Sequence, residues 1–291
     1  MDKNTVTILG LTRNSEETIE IDIKRIVEAF SSLKITNFHV IESDSNDRTV
    51  EKLKNIQTKV NNLNFSTFGS LELEINNKIE RLCFLRNELI KILKTLTPTK
   101  YVVFVDLDNI NNKITKKSVD SCFKKNNWSG CFPSQKVGYY DIFALRAENW
   151  NEFDCFSEVY KSRVNSYSFI FENTKKDEFY NLYVLNKMKK INPKSSWIDV
   201  KSAFGGVGIY KYEFVIDNFY DLTFSLSEYG FECEHVNFNK RIIDKGGKLF
   251  INPEFINSKF NEHNSQLKFG YNFNKLIRSF RTKIFKIRAS I

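Results

Sequence analysis

The sequence predicts an α/β protein with a mixed, mostly parallel sheet flanked by helices. Two observations support this fold class. Apolar strand-like stretches alternate with amphipathic helical stretches over roughly the first 110 residues, a pattern typical of parallel strands joined by right-handed helical crossovers. The chain has 291 residues, 41% of them hydrophobic, with only four prolines, which is enough to bury a substantial core.

The first strand–helix unit begins at residue 5 with an apolar strand through Leu9 and a polar turn. A helix is expected next because its apolar residues recur at spacings of three and four, at Ile19, Ile23, Ile26 and Phe30. Asn14, with Glu17 three residues later, is predicted to cap this helix. The unit therefore has the strand, loop and helix of a Rossmann-like fold.

Two further units follow. The stretch NFHVIESDSNDRTVEKL reads as strand, polar loop and helix, with Asp47 as the expected N-cap. A third helix is predicted from about Asn76 to Leu96, leading into a strand at Tyr101. The second half has shorter, aromatic-rich segments, and its glycines Gly205, Gly206 and Gly208 predict a turn beside something bulky. A loop, a helix, a Gly-Gly stop and a final strand then complete the pattern.

The composition limits the function classes. No apolar run approaches the roughly 20 residues that span a bilayer, and the five cysteines contain no C-x-x-C pair, so we expect a protein of the reducing cytoplasm. The formal charge is +9. Seven basic and no acidic residues lie in 263–291, which leaves +2 for the first 262 residues. This near-balance of the main body argues against nucleic acid as a partner.

The stretch YVVFVDLDNI, residues 101–110, places two carboxylates at the end of a buried strand. Side chains alternate along a strand, so Asp106 and Asp108 leave on one side while Leu107 faces the other. Adjacent carboxylates repel unless a cation or hydrogen-bond donors lie between them, which favours Mn²⁺ or Mg²⁺. The alternative is that Asp106 ends the strand, Asp108 caps a turn and Asn109 continues that turn.

Four segments in order, ESDSNDRT, RLCFLRNELI, YVVFVDLDNI and CEHVNF, resemble those of GT-A fold glycosyltransferases. The first half is similar to glycosyltransferase family 2 and the second half to the fungal capsule-associated mannosyltransferases. The resemblance covers about Val6 to His263. It implies a nucleotide-sugar-binding half at 1–115, an acceptor-binding half of the same domain at 116–262, and a basic tail at 263–291.

On the donor side, the resemblance implies that Glu42 contacts the nucleobase and that the Asp-x-Asp motif holds the metal, with Asp106 also near the ribose. The remaining implied nucleotide and diphosphate contacts are Thr12, Arg13, Asn14, Arg86 and Asn87. His263 is the implied metal ligand after the last strand, with a solvated loop histidine as the alternative. The sequence departs from the family at Asp44, which stands where family 2 has glycine.

On the acceptor side, the resemblance implies sugar contacts by Asp141, Arg146, Gly205 and Gly206. Glu234 and His235 occupy the place of the family 2 Glu-Asp pair, so either is a candidate for the catalytic group, and both retention and inversion stay open. Cys233 with His235 also has a metal-ligand spacing, but two residues without partners make a poor zinc site.

The function that this resemblance implies is transfer of a sugar from a UDP- or GDP-sugar to a hydroxyl of a glycan or glycolipid in surface polysaccharide synthesis. One alternative is a sugar nucleotidyltransferase, although GLTRNSEE lacks a Gly-rich basic phosphate loop. A second alternative is a non-catalytic protein that binds nucleotides or polyanions through its basic tail.

The tail sequence from residue 270 to the end predicts an amphipathic helix. Apolar residues recur at spacings of four and three, at Phe273, Ile277, Phe280, Ile284, Ile287 and Ile291, and basic residues fill the remaining surface. Such a helix fits the headgroup region of an anionic bilayer at the inner face of the membrane. The alternative is that the stripe docks on the protein's own body or on a second subunit.

Overall fold

The computed structural model describes residues 4–165 and 172–259. Within them one sheet contains eight strands: β1 (Thr5–Thr12), β2 (Lys34–Glu42), β3 (Leu63–Thr67), β4 (Tyr101–Asp106), β5 (Gly130–Gln135), β6 (Ile198–Asp199), β7 (Val207–Lys211) and β8 (Leu249–Ser258). The helices are α1 (Ile19–Ala29), α2 (Thr49–Gln57), α3 (Lys78–Thr95), α4 (Lys116–Asp120), α5 (Cys155–Asn165), α6 (Glu172–Tyr183), α7 (Tyr212–Val215) and α8 (Glu234–Asp244).

The strand order is β3-β2-β1-β4-β7-β5-β8-β6. The first four strands of this order pair in parallel, as do β5 and β8, whereas β7 runs antiparallel between β4 and β5, and β6 is antiparallel to β8. The predicted mixed, mostly parallel sheet flanked by helices is therefore confirmed. One sheet contains strands from both predicted halves of the chain.

A hydrophobic core covers each face of the sheet, and the alternation of side chains along β4 separates them. Val102 and Phe104 belong to one core, whereas Val103 and Val105 belong to the other. In the first core the Phe104 ring meets Phe238 of α8 edge to face, with 5.8 Å between ring centroids. The start of α8 is thereby fixed beside the carboxyl end of β4, because a close-packed core resists displacement of its large side chains.

Several predicted elements agree with the structure. The apolar stripe of α1 is buried, and α8, a Gly-Gly stop and β8 follow in the predicted order. Helix α3 begins within two residues of the predicted start, and the Asn77 side chain caps it by accepting hydrogen bonds from the backbone N–H groups of Ile79 and Glu80. These matches follow from local sequence signals.

The predicted capping of α1 by Asn14 is wrong. The helix has Thr18 as its N-cap residue, without a side-chain bond, and a backbone turn precedes it in which the Ser15 carbonyl accepts from the Thr18 and Ile19 N–H groups. Asn14 instead adopts a positive φ of 49°. Its side-chain oxygen accepts from the Asn46 backbone, so it joins two loops.

The remaining local predictions are partly met. Asp47 lies one residue before the N-cap of α2, Arg48, and its carboxylate accepts from the Thr49 N–H at 2.9 Å. The tail 263–291, with its predicted helix and His263, lies outside the described residues. Within 4–165 and 172–259, no helix has both the length and the apolar character needed to cross a membrane.

Candidate active site

A cavity of about 230 Å³ opens at the carboxyl end of β4. Its walls come from one face of α3, the loop after β4, the segment 140–143, helices α5 and α6, the turn at 204–206 and the start of α8. Ligands of open α/β sheets bind at this edge, beside the carboxyl ends of parallel strands. We therefore take this cavity as the candidate active site.

The two carboxylates of the Asp-x-Asp motif line the cavity together. Leu107 between them is buried in the core of the opposite face, so the predicted alternation is confirmed. Asp106 is the last residue of β4, the Asp108 side chain accepts from the Ile110 N–H at 3.1 Å, and Asn109 has a φ of 66°. The strand-end and turn roles are thus also present, and they leave both carboxylates at the cavity.

A buried ion-pair network connects three of the predicted residues. Arg86 is 2% exposed; its Nε donates to Glu234 at 2.9 Å and its Nη2 donates to Asp106 at 3.0 Å. Its third nitrogen, Nη1, is buried and has no hydrogen-bond partner within residues 4–165 and 172–259. Burial raises the pKa of Asp106, and the Arg86 charge opposes that shift. Arg86 is therefore a buried residue that bonds two carboxylates, not an exposed residue of the α3 surface.

His235 is enclosed beside this network. Its ring stacks on Phe204 with 3.8 Å between centroids, and the residue is only 2% exposed. Burial, and secondarily the Arg86 charge, lower the imidazole pKa well below its usual value, so the ring is neutral near pH 7. Neither ring nitrogen has a hydrogen-bond partner among the described residues. The Nε2 atom lies 3.6 Å from Oε1 of Glu234, a distance too long for a hydrogen bond.

Asp141 and the glycine turn form another wall. The Asp141 carboxylate accepts from the Gly205 N–H at 2.7 Å and from the Ala144 N–H at 3.3 Å, and burial raises its pKa to about 6. Gly206 has a φ of 88°, and a Cβ there would lie 2.5 Å from Ile110. The predicted turn beside a bulky group is confirmed, because only glycine fits at this close approach.

Two predicted ligand contacts instead have structural partners. The Arg146 guanidinium donates to the carbonyls of Phe143 and Leu145, and the residue does not line the cavity. The Asn87 amide exchanges two hydrogen bonds of 2.8 Å with the Tyr220 backbone. Asn87 therefore fixes the segment that precedes α8, and its predicted contact with the nucleotide stays a prediction.

The loops after β1 and β2 lie at the same sheet edge, where Thr12 pairs with Glu42 in register. Thr12 donates to the Leu107 carbonyl at 2.8 Å, and Arg13 donates to the Asp44 carbonyl and pairs with Glu72. These residues do not line the cavity described above. Their predicted contacts with the nucleotide stay predictions.

Glu42 is 1% exposed. Its two carboxylate oxygens accept from the Ser45 N–H and from the Thr67 hydroxyl. Asp44, at the position of the family glycine, has a φ of 61°, a conformation that glycine adopts at little cost and that aspartate tolerates better than most residues. The substitution thus keeps a left-handed backbone there, and the Asp44 side chain accepts from the Glu72 N–H at 2.7 Å.

Sequence reasoning missed several residues of the cavity. Lys78, the first residue of α3, lines it together with an apolar group from distant segments: Ile142, Phe143, Phe156, Val184, Met188 and Tyr229. A signal for Lys78 was its helical spacing of eight from Arg86, which places both on one face of α3. The apolar group lacked such a signal because its members meet only through tertiary packing.

Within the described residues, no three His, Cys, Asp or Glu side chains come close enough to hold a metal. Two carboxylates nevertheless fit Mg²⁺ or Mn²⁺, since Mg²⁺ is usually bound through one or two carboxylates together with substrate phosphates and water. Asp106 and Asp108 are thus the donors available to such an ion.

No family model and no curated protein matches the chain. Among solved structures it is similar to the Pyrobaculum calidifontis mannosyltransferase PcManGT in complex with GDP-Man and Mn²⁺, with 11% identity, a TM-score of 0.48, and 87% of this chain and 56% of that chain covered. It is also similar to S. aureus TarS in complex with UDP-GlcNAc, with 14% identity, a TM-score of 0.46, and 90% and 60% covered. The chain spans less than two thirds of the length of either of these two proteins.

A third similar structure is mannosyl-3-phosphoglycerate synthase from Rubrobacter xylanophilus, with 10% identity, a TM-score of 0.40, and 99% of this chain and 76% of that chain covered. Scores below 0.5 at these identities leave the function of the chain to be inferred from its own residues.

Proposed function

We propose that the chain is a metal-dependent glycosyltransferase with a GT-A-like fold, which moves a sugar from a UDP- or GDP-linked donor to an acceptor hydroxyl. The observation that supports this most is the cavity at the end of β4. There two carboxylates lie beside the buried Arg86–Glu234 pair and a neutral His235 whose ring nitrogens have no hydrogen-bond partner in the part of the chain that the structure describes. It combines donors for a cation, fixed positive charge and hydrogen-bonding groups.

Asp106 and Asp108 would hold Mn²⁺ or Mg²⁺ against the diphosphate of the donor. The ion supplies charge neutralisation to the departing nucleoside diphosphate. The cationic donors that supplement it are Lys78, exposed at the cavity wall, and the Nη1 group of Arg86, which bonds no described residue. Arg86 also keeps Asp106 and Glu234 in place, because it bonds both carboxylates.

The geometry favours different roles for Glu234 and His235. Glu234 is the proton acceptor: Arg86 binds its Oε1, and its Oε2 contacts the Cys233 thiol at 3.6 Å, a weak donor that an acceptor hydroxyl would displace. His235 is a neutral hydrogen-bonding residue that contacts a sugar hydroxyl. It is a poor base here because burial and Arg86 disfavour its protonated form.

The test is transfer and donor hydrolysis across a panel of UDP- and GDP-sugars, with and without EDTA. Asp108→Asn should lower the rate at least about 100-fold and abolish metal-dependent UDP or GDP binding in calorimetry. Asp120→Asn is the matched control, since Asp120 pairs with Lys116 at the surface. Full activity in EDTA or in Asp108→Asn would show that the metal assignment is wrong.

The acceptor in this proposal is a glycan or glycolipid of a surface polysaccharide, reached at the inner face of the membrane through the basic tail. The support is the tail sequence, with seven basic and no acidic residues in 263–291. The full chain should sediment with anionic vesicles at low salt and a chain ending at Gly270 should not. No sedimentation of the full chain would contradict membrane binding.

A further inference from the structure

One wall of the cavity is an aromatic chamber, formed by Ile142, Phe143, Phe156, Val184, Met188 and Tyr229. Its rings pack edge to face and tilted around one another. The Phe143 and Phe156 centroids are 5.1 Å apart, and the Tyr229 ring lies 4.9 Å from Phe156 and 5.3 Å from Phe143. The chamber is therefore a preformed apolar surface on the wall of an open cavity.

The chamber is continuous with the charged centre, which is formed by Arg86, Asp106, Asp108 and Glu234. Lys78, Leu82 and Arg86 all line the cavity, and their spacing of four places them in a row along one face of α3. The row is about 12 Å long, from the rise of 1.5 Å per residue. The Asn77 side chain at the start of α3 donates to the Tyr229 carbonyl at 2.8 Å. An apolar surface therefore lies within about 12 Å of a ligand bound at Asp106 and Arg86.

The chemistry of this wall differs from that of a sugar subsite. The lining residues from α5, α6 and the turn after α6 are Phe156, Tyr180, Val184 and Met188, none of them charged and none carrying an amide. A second sugar ring there would desolvate hydroxyl groups against a mostly apolar wall of aromatic and aliphatic side chains, at a cost for each unpaired group. An apolar substituent gains from the same burial.

We propose that the aromatic chamber binds an apolar aglycone on the acceptor, an aryl or short alkyl group attached to the sugar whose hydroxyl is glycosylated at the charged centre. This inference rests on the proposed function and adds the class of acceptor. The whole cavity measures about 230 Å³, which is below the usual range for a drug-sized ligand. Because the chamber is only one wall of this cavity, it has room for no more than one modest group.

The test compares methyl, phenyl and hexyl glycosides of the same hexose, and the corresponding disaccharide, by calorimetry on the full chain with UDP or GDP and Mn²⁺. The phenyl and hexyl glycosides should bind at least tenfold more tightly than the methyl glycoside and the disaccharide. If the disaccharide binds as tightly as the phenyl glycoside, or if the aglycone makes no difference, the proposal is wrong.

Substitutions test whether the aglycone preference arises in the aromatic chamber. Phe156→Ser should reduce the phenyl-to-methyl affinity ratio to below threefold, and Phe156→Leu should restore most of it. Phe153→Ala, which removes a 67% exposed phenylalanine from the same segment, should leave the ratio unchanged. An unchanged ratio in Phe156→Ser would place the aglycone elsewhere.

Donor hydrolysis with water as acceptor separates the two proposals. Metal-dependent donor hydrolysis without an aglycone preference would refute the proposal that the chamber binds an aglycone, and the proposed glycosyltransferase function would stand. Absence of both nucleotide binding and hydrolysis would refute the proposed function itself, and an aglycone preference measured in that case would show only an apolar binding site.

Discussion

The loops after β1 and β2 and the cavity beside β4 lie at the same edge of the sheet, but their polar groups are satisfied differently. In the loops, Asn14 bonds Ser45 and Asn46, and Glu42 bonds Ser45 and Thr67. At the cavity, buried polar atoms lack hydrogen-bond partners among the described residues: Arg86 Nη1, and His235 Nδ1 and Nε2. The polar groups of the loops are thus hydrogen-bonded to one another, whereas several buried polar atoms at the cavity have no such bond to the described residues.

This difference separates two kinds of contribution to a site. A buried polar atom without a partner costs about 1–3 kcal/mol, so a protein retains one mainly where a ligand, ion or water completes it. Groups bonded to each other instead provide a rigid support. The cavity is therefore where we expect ligand binding to add new hydrogen bonds, and the loops are where substitutions should act through the backbone.

The largest effect should come from Arg86→Met. It leaves the buried Glu234 carboxylate and the partly exposed Asp106 carboxylate without their cation, and removing one partner of a buried ion pair such as Arg86–Glu234 costs about 3–5 kcal/mol. Urea unfolding should show this loss in the free energy of unfolding. Arg13→Met is the control, because the Arg13–Glu72 pair has side chains 44% and 46% exposed, and it should cost about 1 kcal/mol or less. Equal losses in both variants would contradict the comparison.

Asn87→Ala should have the next largest effect. It removes both hydrogen bonds to the Tyr220 backbone, so the free energy of unfolding should fall by about 1–3 kcal/mol. Asn237→Ala is the matched control, since its amide bonds the Thr223 hydroxyl at the surface. If Asn87→Ala is as stable as wild type but binds the nucleotide more weakly, the result would instead support the nucleotide contact that the sequence predicted for Asn87.

His235 should make stability depend on pH in a defined direction. Its pKa is lowered in the folded state, so below about pH 6.5 the unfolded chain takes up a proton that the folded chain does not. The stability present at pH 7 is therefore lost as the pH falls. The stability difference between wild type and His235→Asn should shrink by about 1 kcal/mol between pH 7 and pH 5.5. A difference that grows on acidification would mean that His235 is protonated and paired with Glu234.

These predictions use contacts that the sequence determined to different extents. The period of two along residues 101–110 was enough to place Asp106 and Asp108 together, and the 3.6-residue period was enough for α1 and α3. The pairing of Arg86 with Glu234 spans 148 positions and depends on the packing of α8 against β4, where Phe238 meets Phe104. No local pattern encodes that packing.

The prediction for Asn14 failed for a related reason. Its capping signal competed with bonds to a second loop that are distant in sequence. Local hydrogen-bonding residues such as asparagine satisfy several backbone geometries, so tertiary partners decide among them. Residues of the aromatic chamber were equally beyond local patterns, because each reads as an ordinary core position in its own segment.

The smallest effect should come from Glu42→Gln. Glutamine keeps one oxygen to accept from the Ser45 N–H, and its amide donates to the Thr67 hydroxyl, which can rotate to accept. The free energy of unfolding should change by about 1 kcal/mol or less. Because Glu42 is 1% exposed, UDP and GDP affinities should stay within threefold of wild type in calorimetry. A selective loss of affinity for one of the two nucleotides would show that Glu42 contacts the nucleobase. In that case the hydrogen bonds of Glu42 to Ser45 and Thr67 would have to break on binding.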